Sequence, residues 1–159
     1  NPLVGIIVGI LFMIIGASTL YFSLGEVFSA YNSENWQNAP GKVIVSEVVR
    51  DVDSDGDISY RTDVLYQYQV EGKQFTGNTI YFGKMDNSNP GEANRIITDY
   101  PEGSEVKIYY DPDDPNISTL IPGINWEVFF LPGIFAMFFI MGFISFLMGL
   151  FYYRKQNSF

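Results

Sequence analysis

The sequence predicts an α+β membrane protein, in which two transmembrane helices flank a small antiparallel β-barrel or sandwich of about five strands with one short helix. Three observations predict it. Residues 128–153 form a run of 26 without one charged side chain. A second uncharged run, residues 3–22, lies at the other end of the chain. Between them, β-branched and aromatic residues alternate with polar ones, and all 18 acidic residues fall between Glu26 and Glu127. An apolar run of about 20 residues suffices to cross a hydrocarbon core of about 30 Å as a helix. The middle of the chain must then leave and return on one side of a bilayer.

The first span is expected within residues 1–28, including an extension beyond the bilayer. The chain opens on Asn1-Pro2 without an initiator Met, so a short cytoplasmic start is expected to precede it. A cleavable signal peptide is the competing reading, because Ala17-Ser18-Thr19 is a run of small residues. Signal cores span only about 7–15 apolar residues, so a run of 20 reads better as a retained helix. Gly5 and Gly9 make a GxxxG pair with Gly16 seven further on, a spacing that lets another helix come close; the second span is one candidate partner. Residues 23–38 then extend this helix, or lie along the membrane surface, until Pro40-Gly41 breaks it.

Strands follow over residues 36–123. Val43, Val45 and Val49 alternate with Ile44, Ser46 and Val48. Val64, Tyr66, Tyr68 and Val70 point one way, and Asp63, Leu65, Gln67, Gln69 and Glu71 the other. Glu71-Gly72-Lys73 reverses the chain, and residues 74–82 return as a third strand. Asn89 caps a short helix with Pro90 at its first position and Ala93, Ile96 and Ile97 on its apolar face. Residues 105–110 and 117–121 make the fourth and fifth strands around a turn at residues 111–115. The aromatics Tyr66, Tyr68, Tyr81, Phe82, Tyr109 and Tyr110 belong first to the core that so small a domain needs.

The second span occupies residues 124–153. Trp126 marks its entry as an interface aromatic, and Pro132 inside it is tolerated in a membrane helix. Arg154 and Lys155 follow at once and open a cytoplasmic tail over residues 154–159, whereas no Lys or Arg lies in residues 23–41 or 109–153. The positive-inside bias then puts the C-terminus in the cytoplasm and the β domain outside a plasma or cell membrane.

Charge and composition exclude several classes. Residues 23–125 hold 17 acids against 7 bases, a net charge of −10. Such a segment repels nucleic acid and anionic lipid heads, so no nucleic-acid partner is expected. With no Cys there is no disulfide and no thiolate chemistry, and with no His the commonest general base and transition-metal ligand is missing.

A longer series of residues carries a resemblance. It runs from Trp36-Gln-Asn-Ala-Pro-Gly41-Lys-Val43 through the alternation ending at Val70 to Gly72 and Phe75-Thr-Gly77. It continues with Ala93, Ile96 and Tyr100-Pro-Glu-Gly103, and closes on Val106-Lys-Ile-Tyr-Tyr-Asp-Pro112, Pro115, Leu120 and Pro122-Gly123. The series resembles the domain of unknown function 3592 family over residues 36–123. The resemblance implies a small β-rich domain flanked by membrane helices, and it supplies no catalytic residue to carry over.

Four motifs bear on chemistry. Asp51, Asp53, Asp55 and Asp57 with Gly56 match the opening of a calcium loop, whose carboxylates converge on one hard cation. Position twelve is Thr62 rather than the bidentate Glu of an EF-hand, and strands flank the loop. It reads either as a weak structural calcium site, the one cofactor in question, or as a solvated hairpin tip rich in turn formers. Ser104-x-x-Lys107 spells a nucleophile pair that works on a helix; on a strand, residues three apart face opposite sides. Asp111, Asp113 and Asp114 sit among prolines in an exposed turn. Asn116-Ile117-Ser118 is a glycosylation sequon.

No catalytic residue is therefore expected. The sequence reads as a non-enzymatic accessory or scaffold subunit, with the lipid bilayer and other membrane protein subunits as partners and the acidic domain as a contact surface outside. The alternative is a module that senses calcium or another ligand outside and signals through a partner.

Overall fold

The computed structural model describes residues 2–84 and 90–156. It comprises α1 (Pro2–Ser33), β1 (Gln37–Val52), β2 (Ile58–Val70), β3 (Lys73–Gly77), α2 (Pro90–Asp99), β4 (Glu105–Tyr110), β5 (Ser118–Thr119), a 3-10 turn (Trp126–Phe129) and α3 (Phe130–Gln156). The chain divides into two compact units, Asn1–Val27 with Val128–Phe159, and Phe28–Glu127. The Asn89 cap lies outside the described residues.

In the helical unit, both helices are long and apolar enough to cross a membrane. At a rise of about 1.5 Å per residue, the 32 residues of α1 span about 48 Å, more than one hydrocarbon core. Their outward side chains are apolar and uncovered: Ile14 is 60% exposed and Met137 64%. Apart from Val128 and Pro132 at the entry to α3, what is buried among the described residues of this unit is glycine. Gly9 and Gly16 on α1 and Gly142 and Gly149 on α3 are covered, so the helices touch through their smallest residues. This inverts the arrangement of a water-soluble helix pair, which hides its aliphatic stripe.

The β unit is one sheet in the order β3-β2-β1-β4-β5, every neighbouring pair antiparallel. The expected barrel or sandwich is corrected to an open sheet: among the described residues β3 and β5 do not pair, and no second sheet covers the first. Its core face is covered by other means. The amphipathic α2 packs Ala93 and Ile96 into the core, with Ile97 half-buried beside them. The stretches that follow β3 and β5 join each other, Leu120 and Ile121 donating their amides to the carbonyls of Thr79 and Ile80.

That junction also explains why the third strand stops at Gly77 rather than running on to Phe82. A Cβ at Gly77 would stand 2.5 Å from both Ser118 Oγ and the Tyr66 ring, so the chain passes through a gap that only glycine fits. It then leaves the β2 edge to reach residues 120–121. The fifth strand shortens to two residues for the same reason, its second half bonding to residues 79–80 instead of β4.

The first strand starts earlier than expected and holds Pro40-Gly41 within it. Pairing with β4 covers Gln37 to Lys42, whereas pairing with β2 begins only at Gly41, so Pro40 occupies a stretch whose other edge needs no donor. A bulge between Val43 and Val45 then resets the alternation. Val43 opposes Tyr66 on the core face, but after the extra residue it is Ser46 and Val48 that oppose the core residues Val64 and Thr62. Val45 and Val49 pass to the other face, contrary to the simple period of two.

On β2 the expected faces hold. Val64, Tyr66 and Tyr68 are buried with Val43, Ile108 and Tyr110, and Val70 packs beside them. The β2–β3 turn places Glu71 at φ 50° and Gly72 at φ 78°, the two positive values that a two-residue hairpin turn requires.

Candidate functional site

The chemistry-bearing side chains of the β unit gather in three places. In the core, Tyr66 is fully buried, and its hydroxyl donates to the Thr79 carbonyl at 3.0 Å while lying 3.2 Å from Ser118 Oγ. Tyr68 donates to the Pro115 carbonyl, and Tyr110 to Gln37 Oε1 at 3.0 Å. Burial pushes the Tyr66 and Tyr68 hydroxyls above the ordinary tyrosine range, so they stay protonated and serve as fixed donors. The rings lie side by side, Tyr68 stacked on Phe75 with centroids 5.8 Å apart. These tyrosines tie the strands together rather than face a ligand. Ser118 of the sequon belongs to this network; the fold presents Asn116 on an exposed turn and keeps the Ser118 hydroxyl inside.

The second place is at Tyr81, half-buried where three separate segments meet. Its hydroxyl donates to Glu92 Oε1 at 3.2 Å and lies 3.4 Å from Glu127 Oε2. Burial, reinforced by the carboxylates of Glu127 and Glu92, raises its pKa far above the usual value. A surface hollow of about 530 Å³ opens here, with Arg95 and the exposed Trp126 among its lining residues. A phenol held neutral in this way donates its proton and bridges the two carboxylates. Close by, the buried Ser33 hydroxyl donates to the Ala30 carbonyl at 2.7 Å and accepts the Gly123 amide at 2.8 Å, fixing residues 122–123 against the end of α1.

The third place is the acidic loop. Asp53 Oδ1 accepts the amides of Asp55 and Asp57, both at 2.9 Å, and Gly56 stands at φ 88°. Asp51 and Asp63 flank Arg61, with closest approaches of 3.4 and 2.9 Å. Among the described residues no group of three or more carboxylates is placed to hold a metal ion. Replacing Asp53 by Ala removes both turn bonds, and a loss of about 1 kcal/mol in urea unfolding of the full chain is expected. Asp55→Ala, whose side chain supports no such turn bond among the described residues, is expected to change little.

The remaining motifs separate. Ser104 Oγ is buried without a hydrogen-bond partner among the described residues and Lys107 is exposed on β4, so the strand does not bring them together as a nucleophile pair. Asp111 and Asp114 accept the amides of Asp113 and Asn116, each within its own turn.

In the helical unit Gly5 and Gly9 face α3. A Cβ on Gly9 would lie 2.6 Å from Phe146 N and 2.7 Å from the Gly142 carbonyl, and one on Gly16 2.9 Å from Phe139 N. Ser145 Oγ donates to the Gly5 carbonyl at 3.2 Å, and the Phe12 and Phe138 rings meet tilted across the seam, centroids 6.1 Å apart. Sequence reasoning missed the α3 half. Its signal was present, since Gly142 and Gly149 repeat the seven-residue spacing of Gly9 and Gly16. Tyr81, Glu92 and Glu127 were unreadable as a group, because nothing in their spacing links residues 11 and 35 positions apart.

Compared with known families, residues 39–125 match the model of the Domain of unknown function (DUF3592), which is more than half of the 159 residues. No curated protein matches the chain.

Proposed function

The chain belongs to the Domain of unknown function (DUF3592) family, and from that premise, which assigns no chemistry, we propose that it is a non-enzymatic accessory or scaffold subunit of a larger membrane complex. The observation that carries this reading is the inverted helix pair, with glycine inside and uncovered aliphatic side chains outside. Such a surface is suited to lipid and to other membrane helices. Because the glycine seam is taken up within the chain, partner contact falls to the outward faces and to the acidic domain. The lack of His and Cys and the firmly protonated tyrosines fit a domain that binds rather than reacts.

In this reading the helices cross a plasma or cell membrane twice, the β domain is extracytoplasmic, and Arg154 and Lys155 hold the C-terminus in the cytoplasm. Trp126, 72% exposed, takes the interface position at the start of the second span. Purification in mild detergent from native membranes is expected to return a membrane protein in fixed stoichiometry with the chain; return of the isolated monomer alone would refute the accessory role.

The topology has its own test. The chain contains no Cys, so single substitutions report cleanly. Asp55→Cys is expected to react with a membrane-impermeant thiol reagent in sealed cells, and Gln156→Cys only after lysis. The reverse pattern would invert the protein in the membrane.

A further inference from the structure

β1 is 16 residues long, but β4 covers only Gln37 to Lys42. Two more backbone bonds, Val43 to Ser104 and Gly103 to Val43, end that contact. Over residues 45–52 the same edge of β1 meets no strand among the described residues, although its other edge stays paired with β2 as far as Val52. The β1–β2 hairpin therefore runs on past the sheet as a two-stranded arm, and such an edge is a template for one more strand.

The charge on this arm is one-sided. Residues 45–65 hold six acids against two bases, a net charge of −4, in a domain that is acidic overall. A second copy would bring like charge to like charge, so the same residues that oppose self-pairing set the sign of a welcome partner. Along β1 the pattern is Val45, Glu47, Val49, Asp51 on one face. Arg61 already contacts Asp51, whereas Glu47 makes no ion pair among the described residues. The edge thus offers hydrophobic side chains alternating with a carboxylate still to be matched.

The geometry points to the outer edge of β1, residues 45–52, as a strand-addition site for an extended, basic segment of a partner protein. Backbone hydrogen bonds to the edge supply the affinity, and Lys or Arg at alternate positions, opposite Glu47 and its neighbours, supply the choice of partner. This rests on the accessory reading above and names the partner's chemistry.

The test uses the full chain in nanodiscs of zwitterionic lipid and an eight-residue peptide of alternating Lys and Thr, with blocked termini. Saturating peptide is expected to slow exchange of the amides of residues 45–52 that point away from β2 at least ten-fold and to leave the rest of the domain unchanged. Glu47→Lys should weaken the peptide's affinity at least five-fold while exchange elsewhere reports an intact fold. No slowing, or equal slowing by a Glu/Thr peptide or by a Lys/Thr peptide interrupted with proline, overturns the proposal. So does slowing that grows with protein concentration in the absence of peptide, which would make a second copy the occupant. A partner that co-purifies while the peptide fails sinks the edge and spares the accessory role; a docking peptide with nothing co-purified does the reverse.

Discussion

Replacing Tyr66 by alanine is expected to leave the β domain largely unfolded at room temperature. The side chain is fully buried at the centre of the sheet, and large-to-small changes of an aromatic at such sites cost about 3–5 kcal/mol. Ser118 Oγ loses the Tyr66 hydroxyl as well, at about 1–3 kcal/mol for a buried group left unpaired, while the Thr79 carbonyl keeps the Leu120 amide. Together these approach the whole stability of a typical domain, about 5–15 kcal/mol. Tyr66→Phe keeps the ring and is expected to fold, with a deficit of about 1–2 kcal/mol from the lost hydroxyl alone. Urea unfolding of a Trp126→Phe chain in detergent, followed by the fluorescence of Trp36, which is buried edge-on against Phe82, would measure both. Equal losses for the two variants would mean that the ring contributes little.

The same residue sets an alkaline limit. The fold holds Tyr66 as a neutral phenol, with its pKa raised by burial above the unfolded value of about 10. Its contribution is therefore complete below pH 10 and is lost as the pH rises from there toward the folded-state pKa. Over that window each such group removes up to about 1.4 kcal/mol per pH unit. Tyr68, Tyr81 and Tyr100 shift in the same direction, so the decline is steeper than one proton allows. Tyr66→Phe should flatten the pH slope by one proton. An unchanged slope would place the sensitivity elsewhere.

How much of this was legible beforehand depended on whether a feature is local. The alternation from Val64 to Val70 reports which side faces the core because each residue's side follows from the one before. The bulge at Val43 breaks that rule without a sequence mark, since it exists only in the count of β1 residues against β2 residues. The end of the third strand at Gly77 is decided by Tyr66 and Ser118, residues 11 and 41 positions away. Ser118 itself reads as the last letter of a sequon, and only the folded chain shows it as the partner of a tyrosine. The two long helices were visible because each is an unbroken apolar run of a length that could cross a membrane. The carboxylate bridge at Tyr81 was not, because three segments distant in sequence build it.

The helix seam makes the second large effect calculable in direction. Gly9→Leu places a side chain where backbone atoms of α3 already stand: Phe146 N at 2.6 Å, the Gly142 carbonyl at 2.7 Å and Phe146 Cα at 2.9 Å from the new Cβ. No rotamer relieves this, because the clash begins at Cβ itself, so the helices must separate locally. The Phe12–Phe138 contact and the Ser145 bond to Gly5 are then strained or lost. Overpacking of a close contact costs about 1–3 kcal/mol, and within a bilayer no water-driven burial returns it. Gly133→Leu and Gly25→Leu are the matched controls, since a Cβ at either position meets nothing within 4 Å. Gly5→Cys with Gly149→Cys supplies the readout, because the Gly5 Cβ would lie 3.8 Å from Gly149 Cα, within reach of a disulfide. Oxidation in native membranes is expected to link that pair readily in the parent chain and in both controls, and at least ten-fold more slowly beside Gly9→Leu. Equal rates in all four would mean that the glycines do not set the approach of the helices, and that the inverted packing from which the membrane reading follows is not what holds them together.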